Sequence, residues 1–330
     1  MDTVAPLWLW SVFAAIVVVA LFVDFVVLKK QGAHEVTVNE AIRWSLVWVA
    51  MAIAFNALFW WALVQSEGRG VADQRAMEFF TGYLIEKSLA VDNIFVFLMI
   101  FTYFAVPAAY QKRVLMIGII GAIVLRTMMI LGGAWLIERF HWVLYLFGAF
   151  LVLTGIKMWW AAGKEADLEQ NPALRLLRRL MPVSKNFDGE KFFTIEHGKK
   201  IATPLLLVIA LVGLTDVIFA VDSIPAIFAI TTDPFIVLTS NVFAILGLRA
   251  MYFLLQAVHD RFHLLSYGLA VVLVFIGTKM ILIDMIKIPV AVSLSVVVGI
   301  LAITMIWSAR TAPPARNKDQ RSAVAAGSTP

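Results

Sequence analysis

Long apolar runs separated by short polar segments dominate the chain. A helix needs about 20 apolar residues to cross a bilayer. Nine runs approach or exceed that length, at roughly residues 7–28, 43–64, 77–105, 112–136, 141–162, 202–230, 234–257, 264–282 and 289–308. The first has no basic segment before it and no cleavage site after it, so we interpret it as a span rather than a signal peptide. The pattern predicts an all-α polytopic membrane protein with about nine transmembrane helices.

The composition supports a membrane protein over a soluble one. The chain is 62% hydrophobic and 15% charged, whereas soluble domains are roughly 45–50% apolar and about 25% charged. The net charge of +5 would suit nucleic acid, but the basic residues lie mostly in loops, as in cytoplasmic faces of membrane proteins. We therefore expect the lipid bilayer, and no nucleic acid, as partner. Without cysteine, the chain has no disulfide and no thiolate metal site.

The distribution of basic residues predicts the orientation. If the N-terminus lies outside, most of the loop lysines and arginines lie in the cytoplasm. Only four then lie outside: Arg69, Arg75, Arg139 and Lys287. Because cytoplasmic loops carry the excess of positive charge, we expect an outer N-terminus and a cytoplasmic C-terminus.

The longest loop and the C-terminal tail have distinct patterns. In "NPALRLLRRLMPV", a helix would place three arginines on one face and four apolar residues on the other: Leu174, Leu177, Leu180 and Met181. This predicts an interfacial helix on anionic lipid, with a protein-partner site as the alternative. Residues 311–330 are rich in Ala, Pro, Arg and Ser, which predicts a disordered tail.

Two acidic segments repeat within the apolar runs. "IEKSLAVDNIF" (85–95) aligns with "TDVIFAVDSIP" (215–225), which matches Glu86 with Asp216 and Asp92 with Asp222. In each half the next run carries a mid-span arginine, and the third carries a similar motif, "TGIKM" or "IGTKM". The shared order predicts two three-helix repeats. An odd number of spans inverts the second copy, as in many secondary transporters.

The repeat defines our predicted organisation of the chain. It comprises two N-terminal helices (1–76), the first repeat (77–162), a basic cytoplasmic loop with an interfacial helix (163–201), the inverted second repeat (202–282), a C-terminal helix (283–310) and the tail (311–330).

The acidic repeats are candidates for a cation site. A carboxylate at the centre of a membrane helix costs about 2.5–3.5 kcal/mol, so such groups usually mark function. Seven-residue spacing places an amide below one acid and a hydroxyl below another on the same helix face. We predict as metal ligands Glu86, Asp92, Asn93, Asp216, Asp222 and Ser223. Pro225 removes a backbone donor, which predicts a helix break near residue 221 whose freed carbonyls could bind a cation.

The residue types indicate a hard divalent cation. Carboxylate, amide and hydroxyl oxygens suit Mn²⁺, Mg²⁺ or Ca²⁺, and all five histidines lie in or near loops. Four acids balanced by two arginines, Arg126 and Arg249, leave a charge for one divalent ion or two protons. A purely structural ion pair is the alternative.

Other mid-span polar residues have weaker assignments. Asp24 is either an accessory ligand or a helix-end residue, and Lys87 would alter the charge balance. Asn56 and Asn241 are accessory candidates too, although hydrogen bonding between helices is the favoured role for such amides.

The segments "EKSLAVDNIFVF" and "DVIFAVDSIPAIFAITTDPFIVLTSNVFAILGLRAMYFLL" resemble the TerC family of bacterial membrane proteins. The resemblance covers about residues 5–308. It implies a multi-pass protein of the bacterial inner membrane. The family was first linked to tellurite resistance, and its better-supported activity is Mn²⁺ export. The resemblance also suggests a response to alkaline pH and excess manganese.

The same resemblance implies that the metal path is lined by Glu86, Asp92, Asp216 and Asp222. The chain departs from the family at one position. Relatives usually carry a glutamate three residues before the first aspartate of the second motif, where this chain has Gly213.

Two functions from different classes compete. The first is export of divalent metal, Mn²⁺ before others, by alternating access and in exchange for protons. The second is a non-transporting sensor of pH or metal, or an assembly partner, acting through the cytoplasmic loop. We expect no enzyme and no bound cofactor. An intramembrane aspartyl protease is disfavoured because "VGLTD" lacks its Gly-x-Gly-Asp pattern. A homo-oligomer is left open.

Overall fold

A computed structural model describes residues 3–31, 37–162, 172–184, 186–196, 199–258, 264–286 and 288–311. Within these ranges the side chains are described except at 27–31, 92, 108, 172–173, 180 and 257–258. Most of the predicted disordered tail and the first part of the basic loop lie outside the described residues.

The described chain is almost wholly helical, which confirms the all-α class. Its elements are α1 (Leu7–Gln31), α2 (Val38–Ser66), α3 (Arg69–Tyr103), α4 (Ala108–Arg139), α5 (Val143–Ala161), α6 (Pro172–Leu180), β1 (Phe193–Glu196), β2 (Lys199–Ala202), α7 (Pro204–Phe228), α8 (Pro234–Leu246), α9 (Leu248–Val258), α10 (Leu265–Ile281) and α11 (Val290–Thr311).

Each predicted span overlaps a helix, but fewer helices qualify as spans by length and apolarity. Six described helices qualify, or seven if α8 and α9 count as one bent span. The acidic helix α3 is not among them, and α10 is a shorter apolar helix. The chain is thus a multi-pass membrane protein, while nine spans and an inverted repeat stay predictions.

The helix break lies elsewhere than the sequence predicts. Helix α7 runs on to Phe228 with Pro225 inside its last turn, so the proline removes one backbone hydrogen bond without ending the helix there. The bend instead separates α8 from α9, by 44°. At this bend a Cβ on Gly247 would lie 2.7 Å from Nζ of Lys87 and 3.0 Å from Cβ of Trp48. Only glycine lets these groups approach so closely.

Helix α8 is the centre of the bundle. Every residue from Pro234 to Leu246 is buried. Its rings of Phe235 and Phe243 pack with Phe13 of α1 and Phe55 of α2. Such aromatic contacts add to the packing of the bundle core. Polar groups on α8 therefore face other helices rather than lipid.

Helices α5 and α10 pack in antiparallel contact along small residues. A Cβ on Gly277 would lie 2.7 Å from the carbonyl oxygen of Gly148, and one on Gly155 would lie 2.8 Å from that of Ala270. Small residues allow such close approach in membrane helices. Gly155 and Gly277 occupy the same place in the two repeated motifs. Equivalent positions thus make equivalent contacts, as a two-fold relation between the repeats would require.

One end of the bundle carries α6 and the β1–β2 hairpin, and we call it the basic end. Leu174 of α6 is buried in a cluster that includes Leu205 of α7 and Phe101 of α3. The expected amphipathic helix therefore exists, and Leu174 on its apolar face packs against neighbouring helices. Its position at a lipid interface stays a prediction. Its arginines at 175, 178 and 179 are exposed.

Asp233 joins the N-terminal segment to the start of α8. Its carboxylate accepts hydrogen bonds from the Thr3 hydroxyl (3.0 Å) and the Val4 amide (2.9 Å). It also caps α8 by accepting from the amide of Phe235 at 2.9 Å. Sequence patterns do not predict this contact, because its partners lie more than 200 positions apart.

We expect Asp233→Asn to release the N-terminal segment while keeping the helix cap, since asparagine caps as well as aspartate. The lost charged hydrogen bonds should lower the free energy of unfolding by about 1–3 kcal/mol. Hydrogen exchange should accelerate at residues 4–9. Thr37→Ala, which removes the cap of α2, should leave that exchange unchanged. Unaltered exchange in Asp233→Asn would refute the assignment.

Candidate cation site

The middle of α4 places one arginine among the predicted ligands. Arg126 makes a two-point contact with Asp216 of α7, from Nε to Oδ2 at 3.3 Å and from Nη2 to Oδ1 at 2.9 Å. This fork matches carboxylate geometry, which gives the contact its direction as well as its strength.

The remaining nitrogen of Arg126 serves three acceptors. Nη1 donates to the carboxylate of Glu86 on α3, to the Ser223 hydroxyl at 3.3 Å and to the Asn241 amide oxygen at 3.5 Å. Asp216 and Ser223 thus share a face of α7, as their seven-residue spacing predicts. Asn241 projects into the same place from the buried helix α8. We call these five residues the acidic cluster.

The charged residues of the acidic cluster are buried. The exposed fraction is 1% for Arg126, 0% for Glu86 and 5% for Asp216. Two carboxylates face one guanidinium, so the cluster keeps a net negative charge when all are ionised. Within the cluster, Oε2 of Glu86 and Nδ2 of Asn241 are buried without a hydrogen-bond partner among the described residues. An unmet carboxylate oxygen in a buried network is costly, and Oε2 of Glu86 is free to accept a proton or to bind a cation.

Three predicted ligands, Asp92, Asn93 and Asp222, are not among the five residues of the acidic cluster. Asp222 is half-buried and accepts a hydrogen bond from the Thr154 hydroxyl of α5 at 3.3 Å. It therefore does not converge with Ser223, because adjacent residues of a helix point about 100° apart. Asn93 is buried. The side chain of Asp92 lies outside the described residues.

The second mid-span arginine has a different partner from the one expected. Arg249 of α9 pairs with Asp24 of α1, and both are buried. It does not balance the repeat acids, because the bend after α8 turns α9 toward α1 and α2. A crevice beside this pair is lined by Glu40 and Lys112, among others. Asp24 is thus an ion-pair partner.

The accessory residues join helices. Lys87 donates from Nζ to the carbonyl oxygen of Ala244, in the last turn of α8, at 3.2 Å. There its charge faces the negative end of the helix dipole. Asn56 donates from Nδ2 to the carbonyl oxygen of Ala76 at 3.2 Å, which joins α2 to α3.

Sequence comparisons assign the family. The profile of the integral membrane protein TerC family matches residues 71–315. The chain belongs to the TerC family. It is 59% identical to Alx of Shigella flexneri over 309 residues, covering 94% of this chain and 97% of that protein. Alx of Escherichia coli K12 is also 59% identical, with 94% and 96% covered. Both are named as proposed membrane-bound redox modulators.

An uncharacterized membrane protein of Myxococcus xanthus is 50% identical over 300 residues, covering 91% of each chain. No solved structure matches the chain. The TerC assignment thus rests on sequence along nearly the whole membrane region.

The position that departs from the usual TerC motif lies beside the acidic cluster. Gly213 precedes Asp216 by one turn of α7, and a Cβ there would meet nothing within 4 Å. A side chain can therefore begin at this position without a clash at its Cβ.

A small crevice lies against Asp216 on one side of the acidic cluster. Its lining includes Asp216 and four positions on one face of α4, at residues 115, 118, 119 and 122. Arg126 follows on that face by one further turn. Since α4 begins at the basic end, the crevice lies on that side of the cluster. Among the described side chains, no three acids or histidines gather closely enough to hold a metal ion.

Proposed function

We propose that this TerC protein exports divalent metal ions, Mn²⁺ before others, across the bacterial inner membrane by alternating access and in exchange for protons. The acidic cluster carries the proposal. It gathers carboxylate, hydroxyl and amide oxygens from three helices inside an apolar bundle. Buried ionisable groups of this kind in membrane helices usually line a substrate path.

The ligand chemistry favours a hard cation. Divalent manganese, magnesium and calcium prefer oxygen ligands, and Mn²⁺ and Mg²⁺ commonly take six of them. The cluster offers two carboxylates, one hydroxyl and one amide. Carboxylates that lose a metal ion in an apolar setting readily take up protons. One site could therefore carry metal in one direction and protons in the other.

The crevice along α4 supports access from the cytoplasm. If the basic end faces inward, as positive charge predicts, a metal ion would approach Asp216 from the cytoplasmic side. Release to the outside would need the helices to separate on the other side of the cluster. Helix α5 belongs to the first repeat and α10 to the second, so their close contact is an interface about which the two repeats could rotate.

The name of the Alx relatives suggests a redox role, and the sequence limits its chemistry. With no cysteine in the chain, thiol–disulfide exchange cannot be its own reaction. Export of a redox-active metal would instead change the oxidative state of a cell indirectly, through the manganese that remains. The two descriptions are therefore compatible.

Total cellular manganese tests the proposal. Cells without their own manganese exporters would express the native chain or Asp216→Asn under Mn²⁺ load. We expect the native chain to lower manganese severalfold and Asp216→Asn to match cells without the protein. This variant removes one ligand and leaves Glu86 paired with Arg126, so its fold should persist. Asp73→Asn, which removes an exposed acid from the same bundle, is the matched control and should export normally.

The alternative function predicts a different outcome. If the native chain reaches the membrane and manganese does not change, the exporter proposal fails. If the exposed arginines of α6 then prove necessary for a stress response while Asp216 does not, the sensor hypothesis gains support.

Restoring the usual TerC glutamate should strengthen transport. Gly213→Glu would add a carboxylate one turn from Asp216, at a position where a Cβ meets no clash. A further charged oxygen ligand should raise manganese export about threefold or more at limiting Mn²⁺. Gly213→Gln, of similar size but without charge, is the control. Equal export by the glutamate and glutamine variants would show that position 213 does not face the metal path.

A further inference from the structure

The surroundings of Arg126 resemble the shell of a cation more than a single ion pair. Five oxygen atoms on four side chains contact its guanidinium. Nη1 carries two protons yet faces three acceptors, on Glu86, Ser223 and Asn241. A sixth oxygen, Oε2 of Glu86, is buried and has no partner among the described residues. Acceptors thus outnumber the N–H groups at this end of the guanidinium.

Three of the six residues that the sequence predicts as metal ligands supply these oxygens, namely Glu86, Asp216 and Ser223, and Asn241 was an accessory candidate. A guanidinium therefore stands where a transported cation would bind. The two cations cannot share that place, because both would need the carboxylates of Asp216 and Glu86. Their binding must be competitive.

We propose that Arg126 is a tethered counter-cation that holds the cargo position of the empty transporter and leaves it when metal binds. This inference rests on the proposed function, because it requires a transported divalent ion. Its physical reason is the cost of an empty site. Two buried carboxylates without a counter-charge are strongly destabilising. The guanidinium neutralises one of them and a proton can neutralise the other, so the metal-free protein can close around the site and return.

The geometry also indicates an order of exchange. The crevice along α4 reaches Asp216, whereas Glu86 is fully enclosed. A metal ion arriving along the crevice would meet Asp216 first and displace its two-point contact with Arg126. The contact with Glu86 would break second. Arg126 acts in this account as a specificity-determining residue, since only a cation of higher charge density could displace it.

If Arg126 competes with the metal ion, its removal should strengthen metal binding and at the same time weaken transport. Arg126→Gln removes the competing charge, so the Kd for Mn²⁺ should fall about 10-fold or more. Export should nevertheless fall to background, because the empty site would lack its counter-charge. Arg126→Lys keeps a charge without the fork, so its Kd should lie between those of the native chain and the glutamine variant. Because Arg126→Lys keeps a positive charge in the cluster, it also provides a test if Arg126→Gln fails to fold.

The test is Mn²⁺ binding to the purified full chain in nanodiscs, followed by the electron paramagnetic resonance signal of free Mn²⁺, together with manganese export from cells. The double variant Asp24→Asn/Arg249→Gln removes the other buried arginine pair and should bind Mn²⁺ as the native chain does. Tighter binding with lost export in Arg126→Gln, and an intermediate Kd in Arg126→Lys, would support the counter-cation.

Two results would overturn it, and they are distinguishable. If the native chain binds and exports Mn²⁺ but both Arg126 variants bind it equally or more weakly, Arg126 is a structural residue and the exporter proposal survives. If the native chain neither binds nor exports Mn²⁺, the proposed function fails and the counter-cation fails with it.

Discussion

Gly277→Leu is expected to prevent accumulation of folded protein. A Cβ at this position would lie 2.7 Å from the carbonyl oxygen of Gly148 and 2.9 Å from Cβ of Leu151. The first of these neighbours is backbone, which cannot rotate away. The α5–α10 contact would have to open along its length, at a cost of about 3 kcal/mol or more.

Size-exclusion chromatography of the detergent-solubilised protein, followed by thermal unfolding, measures this effect. Gly132→Leu is the matched control, because a Cβ at Gly132 of α4 meets nothing within 4 Å. The control should elute as native protein and unfold at a similar temperature. Native-like elution and melting of Gly277→Leu would contradict the close antiparallel contact of α5 with α10.

The Asp24–Arg249 pair should show strong coupling in a double-mutant cycle. Its side chains are only 8% and 10% exposed, so Asp24→Asn or Arg249→Gln alone leaves a buried charge without its partner. Each single variant should lose about 3–5 kcal/mol of unfolding free energy. The double variant leaves no buried charge unpaired, so it should recover most of the summed loss and have a stability close to that of the native chain.

The exposed pair of Arg113 with Glu190 provides the comparison. Its side chains are 37% and 57% exposed, and such surface pairs contribute about 1 kcal/mol or less. Chemical denaturation of the purified variants measures both cycles. Additive losses at Asp24 and Arg249 would show that α9 is not held to α1 by this pair.

Hydropathy predicted the helices because the bilayer requires long apolar segments whatever their tertiary contacts. The seven-residue spacing of Asp216 and Ser223 predicted their shared face, since that depends only on helix geometry. The bend between α8 and α9 escaped prediction because 234–257 reads as one apolar run. At the bend, Gly247 lies in close contact with Lys87 and Trp48. These two residues belong to helices that are far away in sequence, so the contact could not be predicted.

The roles of the two arginines could not be separated by sequence for the same reason. Arg126 and Arg249 occupy similar places in the two halves, and both were predicted to balance the repeat acids. Their partners depend on which helices meet. Arg126 faces α3 and α7, whereas the bend turns Arg249 toward Asp24 of α1. Helix α1 lies outside the repeats, so the repeat gave no signal for this pair.

The composition of the acidic cluster was partly predictable. Glu86, Asp216 and Ser223 came from the repeat, and Asn241 was only an accessory candidate. Its burial on α8 makes it a full member. The separation of Asp222 from Ser223 follows from their adjacency on a helix, and the contact of Asp222 with Thr154 depends on packing that only the structure shows.

Transport by the purified protein tests the central claim most directly. Proteoliposomes containing the native chain or Asp216→Asn, with a manganese-quenched dye inside and an imposed proton gradient, would report Mn²⁺ movement without any other cellular component. We predict time-dependent quenching with the native chain and the rate of protein-free liposomes with Asp216→Asn. Native protein that is folded, inserted and no faster than protein-free liposomes would contradict the account.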